Sequence, residues 1–504
     1  MYNVINTAIK TKHSAVSRRK LIKGWYIMKN SVIILAGGQG KRMKVDKPKV
    51  LCEVLGTPML EWVIKACENA GEKNICVVRG FAGHCITKYL NGRYPSVLQR
   101  DRLGTGHAVM QTVDFLRENI DGNTLILCGD APFIDKETIQ GALALHTEKD
   151  CSVTVVTSRI KDPHGYGRII RTDDGISGIV EEKDCTPEQK KINEINSGCY
   201  WFKTKDLLDV LFEITPDNAQ GEYYLTDCIG LLIKRGKTAD AFTSENENVS
   251  LGANDRRGLL HLNTVARMRN IERLLDDGVE FTCTDGVIIG NEVQVGAGTS
   301  IEAGCVLTGK TVIGNGCKIG PNTMLTDTTV GRDCILNNVQ AHEAEIGSGV
   351  KLGPWVNLRP GTKIANNVKI GDFVEIKNSV IGDSTSISHL TYVGDSDVGE
   401  NVNFGCGVAT ANYNGDKKFR TEIGDNAFIG CNTNLIAPVK VGKCAYTAAG
   451  STVTKDVPDG ALVIERSNTS VKEGYADKML KNRVEKFNAK KAEEEAASER
   501  KTQE

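Results

Sequence analysis

Residues Ser31–Gly40 read SVIILAGGQG, a continuous apolar run that breaks into glycines at Gly37, Gly38 and Gly40. An unbroken apolar run suits a strand buried on both faces of a parallel sheet. Glycines at its end let backbone N–H groups approach a phosphate closely. Arg42 and, behind Pro48, Lys49 then add two cations beside that turn, a combination suited to a triphosphate. The loop is not a Walker A loop, because Gly40-Lys41 is followed by Arg42 where that motif needs Ser or Thr. Nor is it a Rossmann fingerprint, which would need Gly at Met43. The glycines alone are equally compatible with a plain tight turn; the cations favour phosphate. A carboxylate follows at Asp130, at the carboxyl end of the apolar run Leu125–Cys128. By itself such an Asp reads as a helix cap. Beside a triphosphate it becomes a candidate for Mg²⁺, which needs only one or two protein oxygens. If the attacking group is already a phosphate oxygen, no general base is required, and cations neutralising the transition state carry the chemistry.

These residues need a scaffold. Apolar runs at Ile75–Val78, Leu125–Cys128 and Val153–Val156 alternate with helix-like stretches at Met59–Ala70 and Asp135–His146. That alternation predicts an α/β sheet with helices on both faces, whose ligands sit at the carboxyl ends of the strands. The whole chain of 504 residues has room for about three domains. With 40% apolar and 25% charged residues it has ordinary globular composition. Sixty-three Lys and Arg balance sixty-three Asp and Glu, which argues against a nucleic-acid binder working through bulk charge. No apolar run reaches the ~18 residues of a membrane span. Sixteen cysteines without a C-x-x-C pair fit neither a disulfide scaffold nor a zinc ribbon, and imply reduced thiols in a cytoplasmic protein.

Glycine is in excess, 52 of 504 residues, and the second half of the chain explains it. From Ile289 an aliphatic residue recurs every six residues through Val295, Ile301, Leu307, Ile313, Ile319 and Leu325. The phase drifts over residues 326–345, resumes at Ile346, Leu352, Leu358, Ile364, Ile370 and Ile376, and after one skipped residue continues at Ile381, Ile387 and Val393. A last block runs Ile423, Ile429, Leu435 and Val441. A helix needs a period of 3.6 and a simple strand a period of 2. A period of six instead predicts a parallel β-solenoid in which three hexads close one coil of 18 residues and coils stack at ~4.8 Å. Glycine following the aliphatic residue, as at Gly314, Gly371 and Gly382, is expected to serve corners with backbone angles hostile to other residues. The stretch Ala409–Thr421 has no aliphatic in phase and is expected to loop out, a usual place for chemistry.

The string LAGGQGKRM followed by PKVL resembles the signature of sugar-1-phosphate nucleotidylyltransferases. The order of the parts narrows the resemblance to the bifunctional N-acetylglucosamine-1-phosphate uridylyltransferase / glucosamine-1-phosphate N-acetyltransferase family. LGTGHA (Leu103–Ala108), GYGRI (Gly165–Ile169), GIVEEKDC (Gly178–Cys185), EINSG (Glu194–Gly198) and QGEYYLTD (Gln220–Asp227) extend it through the first half. LRPGT (Leu358–Thr362), GDFVEIK (Gly371–Lys377), SHLTYVGD (Ser388–Asp395) and ANYNG (Ala411–Gly415) extend it through the second. The resemblance implies a Rossmann-like α/β nucleotidylyltransferase domain over 29–255, a helical linker over 256–276 and a left-handed parallel β-helix over 277–470; residues 471–504, a mixed-charge run rich in Lys, Glu and Ala, are expected to form a charged helical tail. It implies that UTP is held by Leu35, Ala36, Gly37 and Gly38, its phosphates by Arg42 and Lys49, and its uracil by Gln99, Gly104 and Thr105. Gly167, Glu181 and Asn196 would hold the sugar, and Asp130 with Asn254 would hold Mg²⁺. A single negative charge in that pair suits a metal that must leave with pyrophosphate.

For acetyl transfer the resemblance implies Arg359, Lys377, Tyr392 and Asn403 for glucosamine-1-phosphate, and Cys406, Asn412, Tyr413, Cys431, Ala449 and Arg466 for acetyl-CoA. Arg359 and Lys377 lie 18 residues apart, so one coil should stack them as a two-cation clamp for the sugar phosphate. His389, on a neighbouring face, would take the proton of the attacking 2-amino group. Because His389 and the cations occupy different faces, the pocket is expected at an edge or between chains, in line with the homotrimer the resemblance implies. Three positions depart from the family pattern: Lys41 stands where Thr or Ser is usual, and Cys406 and Cys431 stand where Ala and Ser are usual.

Residues 1–28 are basic and free of acidic residues, and are expected to be an upstream start or an extension without structure. The expected product is UDP-N-acetylglucosamine. Two rivals remain at this point: a single-activity sugar-1-phosphate nucleotidylyltransferase whose solenoid only assembles subunits, and a non-catalytic regulatory protein of the translation-factor type.

Overall fold

The computed structural model describes residues 29–173 and 175–501, in two compact units that divide between Glu272 and Arg273. Residues 1–28, with the expected basic extension, lie outside the described residues.

The first unit is built on a mixed sheet. Its strands are β1 (Ser31–Ala36), β2 (Ile75–Arg79), β3 (Ser96–Leu98), β4 (Asn123–Cys128), β5 (Val153–Arg159), β6 (Arg168–Thr172), β7 (Gly175–Val180), β8 (Glu194–Lys203) and β9 (Ala239–Thr243). The order across the sheet is β9-β5-β8-β4-β1-β2-β3, with the β6–β7 hairpin attached to β8. β1 lies between β2 and β4, both parallel to it, with Val32 opposite Ile75 on one side and Leu125 on the other. Its residues alternate between two cores, as the strand period of two requires. Val32 and Ile34 join a cluster with Leu60 and Ile64, and Ile33 joins one with Phe202 and Leu207. Burying each such aliphatic side chain is worth roughly 1.5–3 kcal/mol. The helix Met59–Ala70 has the bounds read from the sequence, and Lys136–Glu148 starts at its Asp135 cap, whose carboxylate accepts from the Thr138 N–H at 2.8 Å. The sequence reading missed β8, which runs antiparallel between β4 and β5.

The second unit is a parallel β-helix whose strands form three sheets of 11, 10 and 9. Strand Ser386–His389 lies on the first face, Glu375–Lys377 on the second and Val380–Ile381 on the third. Each inward aliphatic rests on its neighbour in the next coil, as in Leu358 on Ile376 and Ile370 on Ile387. Across residues 326–345 the repeat does not lapse. Val330, Leu336 and Ala341 take the inward places, in coils tightened to 17 and 16 residues as Ile313 pairs with Val330 and Val330 with Ile346.

Two expectations need correction. Gly314 and Gly382 are needed for close stacking, not for unusual backbone angles: a Cβ on either would lie 2.7 Å or less from the backbone of Gly331 or Gly399 in the next coil. Positive φ is found at Gly353 (107°) and at other solenoid glycines such as Gly304 and Gly316 (73° and 70°), and also at residues such as Asn367 and Asn426, at 57° and 59°, where Asn tolerates the left-handed conformation. The expelled loop is also shorter than Ala409–Thr421, because Ala409–Ala411 is a strand of the second face. Thr410 occupies the inward position there; its hydroxyl accepts from the Gly394 N–H at 2.7 Å and thereby satisfies a polar group in an apolar core. The loop proper is 412–420, before strand Thr421–Ile423.

The helix Arg256–Asp276 runs through the point of division between the units, and a second long helix, Tyr475–Lys501, follows the solenoid. Among the described residues no helix is long and apolar enough to cross a membrane.

Candidate functional site

In the first unit the glycine loop leaves the carboxyl end of β1. Gly40 adopts φ +60°, and a Cβ on it would lie 2.8 Å from the Lys49 Cβ, so the loop folds back along the Lys49 side chain. The Lys49 ammonium pairs with the Asp130 carboxylate and donates to the Asn254 Oδ1 at 3.0 Å. Asp130 stands just beyond β4 and Asn254 just before the helix Arg256–Asp276. Two oxygen donors from distant parts of the chain therefore converge on one cation. Arg42 is exposed on the short turn Lys41–Met43, which is anchored by the buried Met43.

Gln99 is buried beside Gly37, where a Cβ would lie 2.8 Å from its Oε1. Its Nε2 donates to the Gly104 carbonyl at 3.1 Å. Gly104 has φ +112°, and a Cβ there would lie 2.5 Å from the Tyr223 carbonyl oxygen. Thr105 Oγ1 accepts from the Leu225 N–H at 3.0 Å, so the 103–106 and 223–225 segments are stitched together. Leu35 and Ala36 end β1 at the same rim.

The residues expected to hold the sugar form a second group. Gly167 precedes β6, and a Cβ on it would lie 3.3 Å from both Glu181 carboxylate oxygens, so its small size leaves that space to Glu181. Burial, reinforced by Asp184 and Asp227, pushes the Glu181 carboxyl above the usual carboxylate range. A β-bulge in β8 between Asn196 and Cys199 turns Asn196. Its Nδ2 donates to the Tyr200 hydroxyl at 2.7 Å and its Oδ1 accepts from the Gly198 N–H at 3.0 Å.

In the second unit the register places Arg359 directly over Lys377, as Leu358 pairs with Ile376. Arg359 is held by Glu375, with Nη1 to Oε1 at 3.0 Å. Lys418, from the expelled loop, reaches the same place. Together with desolvation and Arg359 it holds Lys377 below the usual ammonium range, against the opposing pull of Asp395. Burial would raise the Asp395 carboxyl, but hydrogen bonds from Asn378 and Asn412 and the charges of Lys377 and Lys418 outweigh it and hold it low. Asn412 is buried, with its Nδ2 3.5 Å from the Tyr392 hydroxyl, while Tyr413 is exposed and bridges to Lys418.

His389 lies elsewhere, at the corner between the first and second faces, directly above Asp372 in register. Ile387 pairs with Phe404 and Phe404 with Ile429, which pairs with Thr447. Two residues on, His389, Cys406, Cys431 and Ala449 therefore form one column up the corner. Arg466 closes it, its Nη1 donating to the Ala449 carbonyl at 3.2 Å. Asn403 points outward on the first face, between Ser386 and Phe428. The column and the cation cluster thus stand at opposite edges of the second face.

Residues 31–250 match the family model for nucleotidyl transferases, and residues 343–378 and 420–455 match that for the bacterial transferase hexapeptide. A bifunctional protein GlmU of Acetivibrio thermocellus is 44% identical over 455 residues, covering 90% of this chain and 98% of its own. One of Carboxydothermus hydrogenoformans is 46% identical over 444 residues, covering 88% and 99%. The chain belongs to the bifunctional GlmU family.

Agreement with GlmU relatives along nine-tenths of the chain takes in both units, which excludes a match confined to a shared nucleotidyl transferase domain. A GlmU of a Geobacillus strain matches to the same extent, at 43% over 454 residues. The sequence reading did not single out Glu375, Lys418, Asp395 or Asp227. Glu375 and Lys418 reach Arg359 and Lys377 only through the coil register and the loop path, which residue spacing alone does not give.

Proposed function

We propose that the second unit transfers an acetyl group from acetyl-CoA to glucosamine-1-phosphate, and that the first transfers UMP from UTP to the product, N-acetylglucosamine-1-phosphate. The end product is UDP-N-acetylglucosamine, with pyrophosphate released. The observation that carries this reading is that one chain holds a complete anion-binding set in each unit, Arg42 with Lys49 and Arg359 with Lys377 and Lys418. A solenoid that only assembles subunits needs no such set, and a regulatory protein needs neither.

In uridylyl transfer the sugar-phosphate oxygen attacks the α-phosphorus of UTP in line, and pyrophosphate leaves. Gly37 and Gly38 let the backbone close on the phosphates, and Arg42 and Lys49 neutralise charge as it builds on the leaving group. Gln99, Gly104 and Thr105 face the uracil; Gly167, Glu181 and Asn196 face the sugar. The donor set at Asp130 and Asn254 fits a magnesium ion, since these two oxygens already gather around the Lys49 ammonium. When bound there, Mg²⁺ supplies charge neutralisation on the triphosphate.

In acetyl transfer the 2-amino nitrogen attacks the thioester carbonyl, His389 takes the proton, and CoA leaves as the thiolate. The column Cys406, Cys431 and Ala449, closed by Arg466, offers a row of small side chains leading to His389, suited to a pantetheine arm. The sugar phosphate lies on Arg359, Lys377 and Lys418, near Tyr392, with Asn412 and Tyr413 at the loop, while Asn403, on the first face, stands on the His389 side. His389 stands over Asp372, and the five residues from Asp372 to Lys377 span up to about 16 Å of extended chain between it and the clamp. One subunit's column therefore meets a neighbour's clamp, and a homotrimer closes three such sites. Unbridged thiols throughout the chain support a reducing, cytoplasmic setting.

The test is a product assay with the full chain, acetyl-CoA, glucosamine-1-phosphate and each of the four nucleoside triphosphates in turn. UDP-N-acetylglucosamine should form with UTP alone. A nucleotide sugar that forms equally from ATP or GTP, or that forms without acetyl-CoA, would refute the reading.

A further inference from the structure

Behind the sugar side of the proposed uridylyl site, Arg168 and Glu182 form an ion pair. Arg168, the first residue of β6, is 1% exposed. Its Nη2 donates to the Glu182 Oε2 at 2.7 Å, and its Nη1 donates to the Tyr166 carbonyl. Glu182 is the residue after Glu181, and it also accepts from the backbone of Gly165. β6 and β7 are antiparallel partners, with Arg168 opposite Val180 and Ile169 opposite Ile179. Successive residues of such strands face opposite sides. Glu181 accordingly falls on the side of Gly167 and Ile179, where the carboxylate fills the space that Gly167 leaves open. Glu182 begins the short turn Glu182–Asp184 that follows β7, and its contact with Arg168 holds it on the other side.

We propose that Arg168 and Glu182 are positioning residues for sugar recognition. Their ion pair, with the arginine buried and the carboxylate partly exposed, fixes the backbone at the exit of β7, so that Glu181 is presented to the donor groups of the sugar-1-phosphate. This rests on the reading of Glu181 as a sugar ligand. The geometry favours positioning over a purely structural pair for a specific reason. The bonds to Glu182 come from Arg168 and Gly165, and those two residues flank Gly167, which faces Glu181. One carboxylate thereby ties together both strands that define the Glu181 environment. The charge-assisted contact is directional and resists the swivelling that a hydrophobic contact would allow.

The experiment uses the full chain with three changes: Glu182→Gln, the double change Arg168→Met with Glu182→Met, and Glu181→Gln as reference. The double change removes the pair without leaving an unpaired buried charge, and so keeps the test alive if Glu182→Gln folds poorly. Uridylyl transfer is measured with N-acetylglucosamine-1-phosphate varied at saturating UTP and then the reverse. Acetyl transfer by the same preparation reports that the rest of the chain is folded. The expected result is a rise of about tenfold or more in KM for the sugar phosphate, with KM for UTP and the acetyl-transfer rate within about twofold of the parent. An unchanged sugar KM in the double variant, or an equal rise in both KM values, would overturn the proposal. If Glu181→Gln raises the sugar KM while the Glu182 variants do not, positioning fails and the sugar site stands. If Glu181→Gln leaves the sugar KM unchanged, the sugar-site reading fails and takes the proposal with it.

Discussion

Lys377 shows how a neighbour sets a residue's working range. Lys418 and Arg359 crowd it, and Asp395, held low by two amides, only partly compensates. A dianionic sugar phosphate placed among these cations removes the reason for the shift. Binding should then draw a proton onto Lys377 as pH rises toward the lowered value. Affinity for glucosamine-1-phosphate should fall at a lower pH than an ordinary lysine would give. Lys418→Met should move that alkaline limb of kcat/KM to higher pH, while weakening binding about tenfold near neutrality. A limb that stays in place would show that Lys418 does not set the Lys377 proton affinity. His389 makes a different kind of prediction. His389→Ala should cut acetyl transfer by about 10²–10⁴-fold and leave uridylyl transfer on the same chain near its parent rate. Acetyl transfer that survives in the variant would remove His389 as the base. Asp130→Asn should do the reverse, abolishing uridylyl transfer with Mg²⁺ and sparing acetyl transfer.

At the scale of the element, the helix Lys136–Glu148 carries a liability at its end. His146 is 1% exposed; its Nδ1 contacts Thr154 Oγ1 at 3.0 Å, and its Nε2 has no partner among the described residues. Burial, with help from Lys203, lowers its pKa to about 4. The fold therefore holds the neutral ring, while the unfolded chain takes up a proton below about 6.5. Stability of the first unit should fall as pH drops from about 6.5 toward 4, by roughly 3 kcal/mol in all. Glu61 and Glu194, held low by arginines, lose their contribution only later, in the carboxylate range. Urea unfolding of His146→Leu should flatten the upper part of this window, and an unchanged slope between pH 6.5 and 5 would exonerate His146. Elements also mark the limit of what the sequence discloses. The solenoid was legible because one buried aliphatic per hexad leaves a period no other fold produces, and β1 because an apolar run ending in glycines has few other uses. The tightened coils at Val330 and Ala341 were not, because a turn shortened by one residue shifts the phase without altering the stacking. Thr410 hid a strand because its hydroxyl is satisfied by the Gly394 backbone. The bulge at Asn196 and the pairing of Glu375 with Arg359 depend on register, which composition and spacing do not encode.

At the scale of the whole molecule, the acetyl site poses a question of assembly. His389 and its column stand at one edge of the second face and the Arg359–Lys377–Lys418 cluster at the other, so on the proposed function a single subunit offers two half-sites. If neighbouring subunits supply the halves, chains carrying His389→Ala and chains carrying Lys377→Ala should each fail in acetyl transfer as pure oligomers, yet rescue each other when assembled together. With random assembly from equal amounts, a site is intact when its column comes from one variant and its clamp from the other. That combination arises in about a quarter of sites, so co-expressed chains should regain about a quarter of the parent activity. Mixing the two proteins after each has assembled should regain far less, because the subunits must exchange first. Uridylyl transfer, retained by every variant, reports the amount of folded chain. Were the acetyl site contained in one subunit, no mixture could contain an intact copy, and co-expression would restore nothing.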